Sequence, residues 1–356
     1  MSKALSILIF VALFTSCEKN DLSIEPPNND NFVSAVDISA YPHISSANPT
    51  FHDSEGQKAE FLDILKANGV NTIRLKLWVN PADEHSGYDE VKTFSETLKS
   101  RGFKTWLTLH YSDTWADPGH QETPVLWQGM SISELKEEVY GYTEKVVSEM
   151  NPDYIQIGNE INSGFLHPTG NISSNKENFK ALISAGIAAT RANSSGAKII
   201  IHFAGIDGSI WFYNQLSSLD YDIIGLSYYP IWHGKSLINL QNTMNTLSES
   251  HEKEIIIAET AYPFTLSWND WTNNIVGINE QLISDYPASP EGQSKFIADI
   301  RDLTIDLENG LGFCYWGAEL IAWRGDQASD GSVWENQALF DFNNKALPVL
   351  KEFKSK

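Results

Sequence analysis

From residue 32 onward, short β-rich apolar runs return at intervals, and helical patterns fill most of the gaps between them. The runs are Phe32 to Ile38, Thr72 to Trp78, Lys104 to His110, Tyr154 to Ile157, Lys198 to Phe203, Asp222 to Tyr228, Glu254 to Ala258 and Gly312 to Trp316, eight in all. Between them, GQKAEFLDILKANG puts Phe61, Leu62, Ile64 and Leu65 on one face with Gly69 as a C-cap. SISELKEEVYGYTEKVVSEM carries Ser131 and Glu134 at capping-box spacing. Alternation of strand and helix predicts a parallel sheet joined by crossover helices. Eight such units with no Gly/Ser-rich linker between them predict one α/β domain over residues 32–356, a (β/α)8 TIM barrel. The rival, a doubly wound open sheet, has fewer strands, and no glycine-rich phosphate loop follows the first run. The stretch from Asp285 to Gly292, with Pro287 and Pro290, reads as a turn region.

The two ends of the chain read differently. Lys3 followed by the apolar run Ala4 to Phe14 is too short to span a bilayer and has the layout of an export signal, residues 1–16. It ends in LFTSC, which is similar to a bacterial lipobox, so Cys17 is the expected lipidation site. EKNDLSIEPPNNDN would then be a polar tether, residues 17–31. The resulting expectation is an exported lipoprotein on the outer membrane or cell surface; the alternative is a secreted or periplasmic protein. Cys314 lies in an apolar run and reads as a buried thiol, so two cysteines make neither a disulfide framework nor a zinc site. A formal net charge of −21 sets nucleic acid aside as a partner, because such a surface repels polyanions. Nothing in the sequence implies a protein partner.

In a barrel of this kind, chemistry gathers at the C-terminal ends of the strands. Read from the eight runs, those ends are Asp37, Arg74 with Trp78, His110, Asn159-Glu160, His202, Tyr228-Tyr229, Glu259 and Trp316. Two of them stand out, because DYIQIGNEIN and EIIIAET each carry an apolar strand into a glutamate, Glu160 and Glu259. A carboxylate pair surrounded by hydrogen-bonding groups and flat aromatic faces suits glycoside hydrolysis. One carboxyl protonates the leaving oxygen and the other attacks the sugar or activates water.

Five stretches make the likeness specific: NTIRLKLWVNP, HYSDTWADPGHQETPVLW, DYIQIGNEINSG, DIIGLSYYPIWHG and AETAYPF. Together they resemble the family 53 glycoside hydrolases, endo-β-1,4-galactanases built as retaining (β/α)8 barrels. The resemblance runs from about Ser34 to Trp316. It implies Glu160 as acid/base, Glu259 as nucleophile, and Asn159 as a hydrogen-bond partner of the sugar 2-hydroxyl. The implied substrate is β-1,4-galactan, the (arabino)galactan side chains of pectin.

The remaining candidates are read from residue type and place. Arg74 either neutralises a mouth carboxylate such as Glu259 or pairs with Asp37. His110 and His202 are expected to contact substrate, as are Tyr228 and His233. At least two of Trp115, Trp232 and Trp316 are expected to stack on sugar, while Asp113 and Asp117 flank Trp115 and fix its loop. No cofactor is expected. Some members of the family bind calcium in the loop after strand seven, but LSWNDWTNNIVG offers only Asp270 beside the amides of Asn269, Asn273 and Asn274, so calcium stays the minor alternative and no metal is assigned. Gly317 and Ala318 stand where relatives often have Glu-Pro, which leaves the role of Glu319 open. Two other readings share parts of this site: a retaining endo-glycanase acting on mannan or xylan, and an inactive surface glycan-binding lipoprotein.

Overall fold

A computed structural model describes residues 31–354. The expected export leader, Cys17 and all but the last residue of the expected tether lie outside the described residues. No helix among the described residues is long and apolar enough to cross a membrane.

Eight parallel strands close into a barrel. They are β1 (Val33–Asp37), β2 (Thr72–Leu77), β3 (Lys104–Leu109), β4 (Tyr154–Ile157), β5 (Lys198–Ala204), β6 (Ile223–Ser227), β7 (Glu254–Thr260) and β8 (Gly310–Trp316). The crossover helices are α1 (Phe61–Ala67), α2 (Tyr88–Ser100), α3 (Ile132–Met150), α4 (Lys176–Asn193), α5 (Ser209–Gln215), α6 (Leu237–His251) and α7 (Pro290–Ile305). A 3-10 turn at Pro348–Phe353 stands in the eighth place. All eight expected strands are present, with ends shifted by only a few residues. A two-stranded hairpin, Phe51–His52 with Lys58–Ala59, was not anticipated. The reading of Asp285 to Gly292 as turn alone is corrected: α7 starts at Pro290, capped by Ser289, whose hydroxyl accepts the Gly292 N–H at 3.0 Å. Proline at the first helical position has no N–H to leave unsatisfied, so it marks a helix start here. The Ser131–Glu134 capping box forms as expected.

Two packing layers set up the site. The larger cluster lies between sheet and helices, and a smaller one of Val33, Ala35, Trp106, Tyr154, Ile200, Ile223, Ile256, Ala258, Leu311 and Cys314 plugs the barrel interior. Above this plug, toward the strand C-termini, inward positions turn polar: Asp37, Arg74, Thr108, Gln156, His202, Ser227 and Glu259 are all buried. Period-two alternation carries each strand from apolar filler to polar mouth.

A bulge in β7 breaks that alternation where it matters. Leu226 pairs with Ile257, but the next residue, Ser227, pairs with Glu259, and Phe313 and Tyr315 of β8 show the same extra residue in β7. Ala258 already faces the interior plug. Without the inserted residue Glu259 would point outward; the bulge re-aims it into the mouth.

Candidate active site

Glu160 and Glu259 face each other across the mouth, with one carboxylate oxygen of each within 4.8 Å of the other. β4 delivers Glu160 through a tight turn. Gly158 has φ +78°, and a β-carbon there would come within 2.5 Å of Ile161 Cγ2. Glu160 itself has φ +47°, a left-handed conformation uncommon outside glycine. Gln121 braces the turn by donating to the Asn159 carbonyl at 2.8 Å. Strain held by its surroundings is a mark of functional sites.

The two carboxyls have different environments. Arg74, buried on β2, places Nη1 2.7 Å from Glu259 Oε1 and 3.1 Å from Asp37 Oδ2. Both pairings expected for Arg74 are therefore made by one nitrogen. The Glu259 contact is a buried ion pair between Nη1 and Oε1. Tyr229 donates to the other oxygen, Oε2, at 3.0 Å. Burial raises the Glu259 pKa, and the Arg74 guanidinium opposes it. For Glu160, burial and the Glu259 charge push the pKa up to about 8, against smaller pulls from the Ser227 hydroxyl and Arg74. With the cation 2.7 Å from Glu259, that group ionises first and Glu160 keeps its proton at neutral pH.

A buried chain of hydrogen bonds holds Glu160. Gln156 Oε1 receives Trp106 Nε1 at 3.1 Å and Thr108 Oγ1 at 3.2 Å, which turns its amide nitrogen toward His202 Nδ1, 3.1 Å away. His202 has a pKa lowered well below the usual value by burial and is neutral. Nδ1 also lies 3.2 Å from the Asn159 amide oxygen, and Nε2 lies 2.9 Å from Ser227 Oγ. Ser227 in turn donates to Glu160 Oε1 at 2.5 Å. That leaves Glu160 Oε2 as the oxygen free to carry the acid proton.

The cleft above the pair encloses about 690 Å³ and is walled by aromatic rings. Trp115 packs against Trp316 with centroids 5.2 Å apart, Trp316 lies 6.5 Å from Trp334, and Trp334 lies 5.9 Å from Trp232. This arc offers flat apolar faces beside polar groups, the pattern that stacks on sugar rings.

Of the residues singled out in the sequence, Asp37, Trp115, Glu160, Trp232, His233, Glu259 and Trp316 line the cleft. Arg74, Asn159 and His202 sit beneath it: the Asn159 amide oxygen receives Arg74 Nη2 at 2.8 Å, and its Nδ2 donates to the Ala116 carbonyl at 2.8 Å. Four lie elsewhere. His110 Nδ1 accepts from Ala116 N and Trp78 Nε1, so Trp78 and His110 brace one another. Asp113 ties Asn80 and Val125 by their N–H groups, and Tyr228 donates to the Gly234 carbonyl behind the wall. Sequence reasoning passed over Ser39, Lys76, Ser227 and Trp334, and of the pair Tyr228-Tyr229 it chose Tyr228 as the substrate contact. For Tyr229 a signal existed: counting inward from Gly225 by twos gives Ser227 and then Tyr229, with Tyr228 facing out.

Among the described residues, Glu160, His202 and Glu259 form the only cluster of three or more His, Cys, Asp or Glu ligand atoms. Both nitrogens of its histidine face protein partners, and Ser227 links His202 to Glu160. In the loop after β7, buried Asp270 accepts the Thr272 N–H and buried Glu335 accepts that of Asn269. Their second oxygens, Asp270 Oδ2 and Glu335 Oε2, are buried with no hydrogen-bond partner among the described residues.

The sequence profile of "Glycosyl hydrolase family 53" matches residues 33–353. An arabinogalactan endo-β-1,4-galactanase of Cellvibrio japonicus is 31% identical over 350 residues, covering 92% of this chain and 92% of that protein. Among solved structures, the Ignisphaera aggregans GH53 catalytic domain superposes with a TM-score of 0.85 at 38% identity, covering 92% of this chain and 97% of that one. A structure of two fungal β-1,4-galactanases gives a TM-score of 0.78 at 29% identity over 90% of this chain and 98% of that one. With two carboxyls facing each other at the mouth of the barrel and the profile spanning nearly all of it, the chain is an enzyme that belongs to glycosyl hydrolase family 53.

Proposed function

We propose that the protein is an endo-β-1,4-galactanase that cuts galactosidic bonds within (arabino)galactan, the side chains of pectin, with retention of configuration. The observation that supports the stereochemical reading is the close approach of Glu160 and Glu259, one oxygen of each lying within 4.8 Å of the other. Retaining enzymes keep the pair about 5–5.5 Å apart, whereas inverting ones leave about 6.5–9.5 Å for a water. The galactanase relatives support the choice of substrate.

In the first step Glu259 Oε1 attacks the anomeric carbon as the glycosidic bond breaks, and Glu160 gives its proton to the departing oxygen. In the second, Glu160, now a carboxylate, takes a proton from water as that water displaces Glu259. Arg74 and Tyr229 hold the nucleophile ionised and oriented. The reaction balances with water alone and calls for no cofactor. Assaying purified galactan, mannan and xylan side by side tests the substrate, and NMR of the first anomer released tests retention. Equal or better cleavage of mannan or xylan would overturn the galactanase reading, and absence of cleavage on all three would favour a glycan-binding protein.

The pH dependence follows from Glu160. Activity needs its protonated form, so kcat/KM should fall as pH rises through about 8. Removing the Ser227 hydroxyl, which favours the ionised form, raises that pKa further; Ser227→Ala should move the alkaline limb to higher pH. A limb that stays put or moves down would show that Ser227 does not reach the acid in solution.

We also propose export, with Cys17 lipidated, so that the barrel stands outside the membrane on its polar tether and meets a polymer too large to import. The leader layout and LFTSC support this reading. Cys17→Ser should release the protein from the membrane to the soluble fraction; a native protein already soluble would mean a secreted or periplasmic enzyme.

A further inference from the structure

Two charged side chains in the cleft wall have no part in the mechanism above. Lys76 follows Arg74 by two positions on β2, so alternation turns both inward. Its ammonium lies 5.0 Å over the Trp78 ring and 5.6 Å over the Trp115 ring. Among the described residues, no carboxylate lies within ion-pair distance of it. Glu319 sits on the turn after β8, three positions past Trp316, and is 2% exposed. One of its oxygens, Oε1, accepts the Ala40 N–H at 2.9 Å, which fixes the side chain; the other, Oε2, is buried with no hydrogen-bond partner among the described residues. Both residues line the cleft on the side of Asp37, Ser39 and Trp316.

We propose that Lys76 and Glu319 form a sugar-hydroxyl binding subsite, in which a galactosyl unit of the bound chain sets hydroxyl groups against the Lys76 ammonium and Glu319 Oε2 while a tryptophan face carries the ring. This deepens the galactanase reading and rests on it. The chemistry fits a neutral polyol. A hydroxyl both donates and accepts, the ammonium supplies three donors and no acceptor, and a carboxyl oxygen supplies whichever role its protonation state allows. A buried polar oxygen without a partner is rare in a folded protein, and this one belongs to a side chain that lines a ligand cleft. Burial and the nearby Asp37 charge push Glu319 up to about 8, so at neutral pH Oε2 presents an O–H. Burial lowers the Lys76 pKa, and the charges of Asp37 and Glu319 oppose that shift.

The test is binding of galactotetraose by calorimetry in the Glu160→Gln protein, which holds the ligand without cutting it. Lys76→Met and Glu319→Gln are then added singly and together, with KM and kcat on galactan measured in the Glu160 background. Each single change should weaken binding by about tenfold, the loss expected when a hydrogen bond involving a charged or buried group is removed. KM should rise by a like factor while kcat changes less. Unaltered dissociation constants in both single variants would overturn the subsite. Loss matched by a fall in Tm in both variants would also overturn it, by showing a structural role; Lys76→Met breaks no side-chain hydrogen bond among the described residues and keeps this outcome distinguishable. Failure of the galactanase reading shows elsewhere, in a wild-type protein that does not cut galactan and a Glu160→Gln protein that does not bind galactotetraose.

Discussion

Alanine at position 259 should abolish turnover on every substrate, including aryl glycosides whose leaving group needs no proton. The expected loss in kcat is on the order of 10⁵-fold or more, as when the nucleophile of a covalent mechanism is removed. The reason is local. Glu259 lies 2.7 Å from a buried guanidinium, which favours its ionised form, and Tyr229 orients its other oxygen. The bulge in β7 is what turns it there. Removing one partner of a buried ion pair also costs stability, about 3–5 kcal/mol where the other charge is left alone. Asp37 still pairs with Arg74 at 3.1 Å, so the cost here should be smaller. Glu259→Gln keeps the shape and separates the two effects: it should be as inactive as the alanine variant while holding its Tm closer to wild type. A slow fluorinated galactoside that traps the intermediate should label the peptide containing Glu259. Label on Glu160 would reverse the two roles.

The barrel was legible because its signal is repeated eight times, so an error of a residue or two at each strand end does not change the count. The carboxylate pair was legible because each glutamate closes an apolar strand. What the sequence hid was facing. Tyr228 and Tyr229 are adjacent and alike, and only the alternation from Gly225 and Ser227 shows that the second reaches Glu259 while the first ties down Gly234. The same rule applied to β7 would have turned Glu259 outward, since a one-residue bulge leaves no mark in composition. The two histidines at strand ends share a residue type and a rank but differ in partners. His110 joins Trp78 and the Ala116 N–H, and His202 joins Gln156 and Ser227. Their partners come from other strands and loops, at sequence separations no local pattern can span. Trp334 and Glu319 come from the long segment after β8, where likeness to the family's motifs was weakest and where contacts with Tyr229, past the end of β6, and Ala40, past the end of β1, decide their place.

Glu160→Ala should behave differently from Glu259→Ala, and the difference assigns the acid. On galactan the variant should be inactive within detection, because the departing sugar alkoxide needs a proton and Glu160 is the group kept protonated by burial and by the Glu259 charge. On an aryl β-galactobioside with an acidic phenol as leaving group, the first step needs no proton, so the covalent intermediate should form and then persist, since no base remains to activate water. A burst of phenol followed by slow turnover is the expected trace. Azide should then accelerate turnover, as a small anion can occupy the space left by the carboxylate and attack without giving up a proton. Its product should be the β-galactosyl azide, because attack on an intermediate bound to Glu259 inverts a second time. The Ser227 hydroxyl, 2.5 Å from Glu160 Oε1 in the native site, would face the incoming anion as a donor. An α-configured azide would mean a single displacement and an inverting enzyme. Azide rescue of Glu259→Ala in place of Glu160→Ala would mean that the acid and the nucleophile are exchanged.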